Sequence, residues 1–134
     1  MPEPITKSKN SSLNDDGRTF FLAINDDTPV NSRVFTLIPY AEFACKVSIM
    51  RSKIASGSCK FTPSINGTAI TTEDSDGSGK ITVNNASLQT STPNGAAGNY
   101  TLAIGQNLTV LITDISSPAS LVIQITLRKT EVDN

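Results

Sequence analysis

The chain has 134 residues, a formal net charge of −1 and no histidine. This length corresponds to one domain, and a nearly neutral chain without a basic run is not expected to bind nucleic acid. The absence of histidine excludes Ser-His-Asp and Cys-His nucleophilic sites and imidazole acid–base chemistry. We therefore expect a protein that is not an enzyme and that needs no cofactor or metal.

Residues 1–17 are polar, and Pro2 and Pro4 hold the first residues extended. They predict an N-terminal arm in front of a β-domain at residues 18–134. The arm would contact a partner through two apolar and two basic side chains: Ile5, Leu13, Lys7 and Lys9. The chain shows neither the apolar core of a signal peptide nor a segment of the ~20 apolar residues that cross a bilayer. Synthesis in a cytoplasm and no membrane partner are expected.

The first two apolar segments after the arm indicate strands. "RTFFLAIN" places Phe20, Leu22 and Ile24 on one face, because side chains alternate between the faces of a strand. "SRVFTLIPY" is a second apolar run, which Pro39 ends.

The third segment, "FACKVSIM", fits two patterns. A strand would bury four residues at period two: Phe43, Cys45, Val47 and Ile49. A helix would instead align another set on one side: Phe43, Val47, Met50 and Ile54. The turn-rich flanks favour the strand.

The stretch "IASGSCKFTPSINGTAI" predicts a hairpin that turns at Ser56-Gly57 and a strand that ends in a tight turn at Asn66-Gly67. Its inward residues would be Cys59, Phe61, Pro63 and Ile65. In this hairpin, Cys45 and Cys59 would lie too far apart for a disulfide. Both are therefore expected to be buried free thiols.

The second half of the chain predicts further short strands. Ile81 and Val83 share one face, and "YTLAIGQNLTVLIT" is a strand that breaks at Gly105, with Tyr100, Leu102 and Ile104 in phase before it. The last strand follows a turn at "ISSPAS". Its inward residues would be Leu121, Ile123, Ile125 and Leu127, and its outward residues would be Gln124, Thr126 and Arg128. Together the segments predict an all-β fold, a single antiparallel β-sandwich or jelly roll of about eight strands.

The loop at residues 73–79, "EDSDGSG", has the alternating carboxylates of a calcium-binding loop. An EF-hand is excluded, because the last ligand position would fall on Val83 and no helices flank the loop. A weak cation site and an ordinary solvated hairpin loop both stay open.

Three quoted stretches carry a resemblance to a known family: "IPYAEFACKVSIMRSKIASGSCKFTPSINGTAI", "ASLQTST" and "AIGQNLTVLITDISSPASLVIQITLRK". Over residues 37–129 they resemble a recurrent domain of tailed-bacteriophage virion proteins, with its SGS turn, its strand ending in I-N-G-T and its two long final strands. The resemblance implies a β-sandwich or jelly-roll trimer on the virion surface. It carries over no functional residue.

The family that the chain resembles includes head decoration, head-fibre and tail-fibre proteins. A short domain without a shaft, and with few aromatic residues to hold a glycan, favours a capsid decoration (cement) protein on the outer head over the alternative, the host-adhesion knob of a fibre. The expected location is the virion. The expected partners are further copies in a homotrimer and the major capsid protein or another virion protein. Four apolar residues out of phase with the core would add subunit contacts: Phe21, Phe35, Leu111 and Val122.

Overall fold

Eight β-strands, all paired antiparallel, form the described part of the fold. The structure, a computed structural model, describes residues 18–130 apart from the side chain of Ala97. The strands are β1 (Thr19–Asp26), β2 (Arg33–Ile38), β3 (Cys45–Ile65), β4 (Thr68–Ala69), β5 (Ile81–Val83), β6 (Gln89–Ser91), β7 (Thr101–Leu102) and β8 (Leu108–Lys129). The predicted all-β fold is confirmed.

The two long strands, β3 and β8, pair from Cys45 opposite Lys129 to Ile65 opposite Leu108. Near their middle, both strands are irregular, and this divides the sheet into two parts. The first half-sheet contains β3 residues 45–54, β8 residues 121–129, β1, β6 and β7. The second half-sheet contains β3 residues 58–65, β8 residues 108–113, β2, β4 and β5.

The predicted hairpin at Ser56-Gly57 is wrong, and so is the predicted turn at "ISSPAS". Both segments lie inside long strands and face each other, with Ser56 opposite Ala119 and Ser58 opposite Ser116. The turn-forming residues still adopt left-handed backbone angles, with φ of 70° at Gly57 and 46° at Ser117. Because the two irregular segments coincide, they bend the paired strands as bulges do and do not reverse the chain.

A single hydrophobic core joins the two half-sheets. From the first half-sheet it takes the inward residues of β8 that the sequence predicts: Leu121, Ile123, Ile125 and Leu127. From the second it takes Cys59, Phe61, Ile65, Leu108, Val110 and Ile112. At about 25 cal/mol per Å² of apolar area, burial of side chains of this size is the main stabilising term. The paired layers around one core are those of a sandwich.

The strand assignment for "FACKVSIM" is correct from Cys45 onward, and its predicted phase holds only at Cys45 and Val47. The predicted inward position of Phe43 is wrong, because Phe43 precedes β3 and is 36% exposed. A register shift between Val47 and Ile49 leaves one residue of β3 unpaired against β8. The inward positions therefore move to Met50 and Ile54, which are buried, while Ile49 is half-buried. Because of this bulge, the buried residues Met50 and Ile54 are the same two that the alternative helix would have placed on its apolar side.

Several local predictions are confirmed. Ile24 is buried and Phe20 and Leu22 pack against the core. Asn66-Gly67 forms the two-residue turn between β3 and β4, with the positive φ values at both positions that such turns need. Ile104 is an exception, since β7 ends at Leu102 and the Ile104 side chain is 55% exposed.

An ion pair links the end of β1 to the start of β2, where the chain passes from one half-sheet to the other. The Arg33 guanidinium donates from Nη1 to both carboxylate oxygens of Asp26, at 3.1 and 2.9 Å. Asp26 is buried, and its carboxylate also accepts the Thr28 backbone N–H. A buried carboxylate without such partners would destabilise the corner.

Cys45 and Cys59 are buried free thiols. They belong to different half-sheets, Cys45 opposite Leu102 and Cys59 opposite Val83. Burial raises the pKa of both thiols, and with the nearby Asp26 charge it brings that of Cys59 to about 11. Their predicted burial is confirmed, although the hairpin that suggested it does not exist.

Candidate assembly surfaces

The contact residues predicted for the arm, Ile5, Lys7, Lys9 and Leu13, lie outside the described residues. Of the other predicted contacts, Phe21 is 63% exposed and Val122 is half-buried, both on the outer side of the first half-sheet. Leu111 is half-buried on the outer side of the second half-sheet. The structure therefore places Phe21 and Val122 on one face, and Leu111 on the other half-sheet.

The predicted outward orientation of Phe35 is wrong. Phe35 is opposite Val110, a core residue, and its side chain packs against the core. Its neighbour Val34 is opposite Leu111 and is 56% exposed. The sequence of β2 does not show which of its residues point inward, because Val34 and Phe35 are neighbours and both are apolar. Only the pairing with β8 decides this.

Four cross-strand rows cover the outer side of the first half-sheet. The strand registers place the following residues side by side: Thr19, Arg128, Lys46 and Thr101; Phe21, Thr126 and Ile49; Ala23, Gln124, Arg51 and Thr90; Asn25, Val122 and Lys53. These rows hold four basic residues and no acidic one. We name this surface, with Lys46, Arg51, Lys53 and Arg128, the basic face.

No ion pair within residues 18–130 reaches the basic face. The ion pairs of this region are Arg33–Asp26, Lys60–Asp76 and Lys80–Asp114. None of them includes a basic residue of this face. Lys46 lies directly opposite Arg128, which is a repulsive arrangement between neighbouring strands. Beside this pair, a cleft of about 240 Å³ is lined by polar and aromatic side chains that include Ser48, Thr92 and Tyr100.

A second surface, the end cleft, is apolar. Its volume is about 190 Å³, and it is lined by Phe20, Ile38, Tyr40, Ala41, Glu42, Phe43 and Cys45. The Phe20 and Phe43 rings meet edge to face at 5.7 Å, and Tyr40 is 56% exposed. The exposed Ile104 lies beside Gly105, against which the Tyr40 ring packs. The end cleft adjoins the start of β1, the strand that follows the arm.

Backbone hydrogen bonds hold the wall of the end cleft in place. The Ala41 N–H donates to the Gln106 carbonyl at 2.9 Å, and the Gly105 N–H donates to the Ala41 carbonyl at 2.8 Å. The side chain of Gln106 accepts the Ala103 N–H in turn. The two loops that border the cleft are thus tied to each other, so the cleft is a preformed feature.

The carboxylates of loop 73–79 act as structural hydrogen-bond acceptors. Asp76 accepts the Lys80 and Ser78 backbone N–H groups at 3.0 and 2.8 Å and the Lys60 ammonium at 3.1 Å. Led by the Lys80 backbone bond, these contacts lower the pKa of Asp76 to about 2. This loop therefore holds its own conformation through its acidic residues.

The other two carboxylates of this loop bind the segment around β6. Glu73 accepts the Thr92 backbone N–H at 2.9 Å, and Asp74 accepts the Ser91 hydroxyl at 2.8 Å. Across residues 18–130, no group of three or more His, Cys, Asp or Glu side chains is placed to hold a metal ion. In the same region, no helix is long and apolar enough to cross a membrane.

The sequence contains only a weak signal for the basic face. Lys46, Arg51 and Lys53 are each separated from the next basic residue by at least one other residue, and Arg128 is distant in the chain. Alternation predicts that Arg128 points outward, and the structure confirms it. The face as a whole appears only when the register of β3 against β8 is known.

The chain is similar in fold to several solved structures. A capsid chain of Helicobacter pylori bacteriophage KHP30 is 12% identical, with a TM-score of 0.48, over 86% of this chain and 90% of that chain. A capsid chain of cyanophage Pam1 is 10% identical, with a TM-score of 0.49, over 85% and 86%. A chain of the pilus-like Bacillus endospore appendages is 14% identical, with a TM-score of 0.41, over 87% and 92%.

No protein-family model matches the chain, and no curated protein matches it in sequence. The structural similarities combine low identity with TM-scores below 0.5. The function proposed below therefore rests on the residues of this chain.

Proposed function

We propose that the chain is a non-enzymatic structural protein of a bacteriophage virion, and that it decorates the outer surface of the head. The observation that carries this proposal is the apolar end cleft with the exposed Tyr40 and Ile104 beside it. Clustered exposed apolar side chains around a preformed cleft are typical of protein–protein contact sites. The resemblance of residues 37–129 to virion surface domains agrees with this assembly function.

We further propose that residues 1–17 form the attachment arm. Residue 18 lies two positions before Phe20, which lines the end cleft, so the arm starts next to the apolar surface. Seventeen extended residues reach up to about 56 Å, enough to cross to a neighbouring subunit. Ile5 and Leu13 would insert into apolar sites on the capsid protein or another virion protein, and Lys7 and Lys9 would bind its acidic groups.

A homotrimer would cover the open strand edges. Among the strands of residues 18–130, β1 and β2 each pair only with β8, so no other described strand lies along their second edges. Open edges are normally covered or blocked in native proteins. Val34 on β2 lies on one of these edge strands and would be buried between subunits, together with Leu111 opposite it. Phe21 and Val122 lie on the outer side of the first half-sheet and would contact another virion protein.

The alternative is a host-adhesion knob, and one observation favours it. The loop at residues 71–76 is tied to the segment at residues 91–94, where the Asn94 N–H donates to the Thr71 carbonyl at 3.1 Å. With the bonds from Glu73 and Asp74, this forms a rigid polar surface that could bind a glycan. The position of the chain in the particle distinguishes the two functions: a decoration protein would lie on the outer head surface, and an adhesion knob would lie at the tip of a fibre.

The test of attachment compares the full chain with one that starts at Gly17. Both are mixed with undecorated heads of the parent phage, and binding is measured by co-sedimentation. We expect the shorter chain to keep its melting temperature, because the described core lies wholly within residues 18–130, and to lose binding. Full binding by the shorter chain would exclude the arm as the attachment element.

A further inference from the structure

We infer that the basic face docks against a carboxylate-rich surface of another virion protein. This inference rests on the proposed function and names the chemistry of the partner. It concerns the outer side of the first half-sheet, which is separate from both the arm and the end cleft.

The charge of the basic face is unbalanced. Lys46 and Arg128 are directly opposite each other, and the residues that flank them in the row are Thr19 and Thr101. Like charges in this position destabilise a sheet. The chain has more acidic than basic residues, yet the four rows contain no carboxylate. Like charges side by side, with no ion pair to a carboxylate of residues 18–130, are typical of a binding surface.

Two lysines outside the basic face do have carboxylate partners. Lys60 contacts Asp76 at 3.1 Å, and Lys80 contacts Asp114 at 2.9 Å. These carboxylates are engaged on the second half-sheet and its loop. A second copy of the chain therefore offers few free acidic groups there, which favours a different protein as the partner.

The basic face combines basic side chains with an exposed aromatic one. Phe21 is 63% exposed and lies in the row between those of Arg128 and Arg51. Aromatic and arginine side chains are the residue types that most often dominate binding energy at protein interfaces. Arginine can also bind a carboxylate through two parallel hydrogen bonds. An apolar anchor among basic groups fits an acidic protein surface better than a nucleic-acid backbone.

The size of the face limits its affinity. Four strands at ~4.8 Å spacing and four rows at ~6.6 Å spacing cover about 14 Å by 20 Å. This area of about 300 Å² is less than half of the ~800 Å² that each partner buries in a standard interface. A single copy would bind weakly through this face alone. Several linked copies, or the arm, would raise the avidity.

The test is carbodiimide cross-linking, which joins a lysine to a carboxylate in direct contact, followed by mass spectrometry. One sample is the purified full chain and the other is the purified phage particle. The Lys60–Asp76 and Lys80–Asp114 contacts are internal positive controls in both samples. We expect Lys46 or Lys53 to be joined to a carboxylate of another protein in the particle, and to remain unlinked in the purified chain.

Three outcomes would overturn the inference. One is that Lys46 and Lys53 remain unlinked in the particle while the control links form. The second is a link to a carboxylate of this same sequence, such as Glu131 or Asp133, in the purified chain. The third is absence of the chain from the particle, which would also overturn the proposed function. The first two outcomes leave the proposed function standing.

A variant gives a second readout. Lys46→Glu replaces the repulsion with Arg128 by an attractive pair, so we expect the melting temperature of the free chain to rise. Its affinity for the particle should fall by roughly tenfold or more, as for a lost charge contact. Lys80→Glu, directly before β5 of the other half-sheet, makes the same change in charge away from the basic face and should leave this affinity unchanged. Unchanged affinity for Lys46→Glu, or wild-type binding to duplex DNA that Lys46→Glu abolishes, would refute an acidic protein partner.

Discussion

The substitution Gly57→Ala would perturb the fold most directly, because Gly57 lies where the paired strands β3 and β8 bend together. A Cβ atom at residue 57 would lie 2.1 Å from the Ser117 carbonyl oxygen and 2.4 Å from that of Ser116. These atoms belong to backbone, so they cannot move away as a flexible side chain would. The φ angle of 70° is also one that alanine adopts with strain.

Two effects should lower the free energy of unfolding of Gly57→Ala, and a control variant can separate them. The left-handed angle costs about 1–2 kcal/mol, and forcing the strands apart adds about 1–3 kcal/mol. Gly67→Ala is the matched control, because its φ is 85° but no atom lies within 4 Å of the added Cβ. Gly57→Ala should therefore destabilise the protein by about 2–5 kcal/mol, and Gly67→Ala by only the first part.

The assay is guanidinium unfolding of both variants, supported by thermal melting. For a domain of this size, 1 kcal/mol lowers the melting temperature by roughly 3–5 °C, so Gly57→Ala should lower it by about 6–25 °C. Equal destabilisation by Gly57→Ala and Gly67→Ala would refute the reasoning. It would mean that β8 does not approach residue 57, as in a simple hairpin that turns there.

Four further predictions follow from the same geometry. Cys45 and Cys59 should be unreactive toward a thiol reagent in the native chain at pH 8 and should both react after unfolding, because burial raises their pKa values. Asp76 has a folded pKa of about 2, below its unfolded value of about 3.9. Its stabilising contribution is therefore complete above pH 4 and is lost as the pH falls toward 2, and Asp76→Asn should flatten the dependence of unfolding free energy on pH in that window. A chelator should leave the melting temperature unchanged, since hydrogen bonds to Lys60 and backbone groups already engage the Asp76 carboxylate; a drop of several degrees would indicate a bound cation. Light scattering should report a trimer that Val34→Asp dissociates, whereas a mass of 14.2 kDa for the wild-type chain would contradict the trimer.

Local patterns predict the strands well, because the period of side-chain alternation is a property of each strand by itself. The inward residues from Leu121 to Leu127 and the Asn66-Gly67 turn are of this kind, and the structure confirms them. They depend only on neighbouring residues.

The errors arise where distant pairing decides the outcome. Gly57 and Ser117 are turn-forming residues in any local interpretation, and only the coincidence of their two segments makes them bend paired strands. The bulge after Val47 shifts the inward phase without any local signature. The register that assembles the basic face from β3 and β8 is equally invisible to a local pattern.

We propose that this domain is a building block on the outside of a phage head, and a cryo-EM map of the assembled particle would test this function. We expect density for this sandwich on the outer head surface, in threefold groups, with the first half-sheet facing another virion protein and the arm extending from residue 18 toward a neighbour. Density for the domain only at the tip of a fibre, or no density for it anywhere in the particle, would rule out this function.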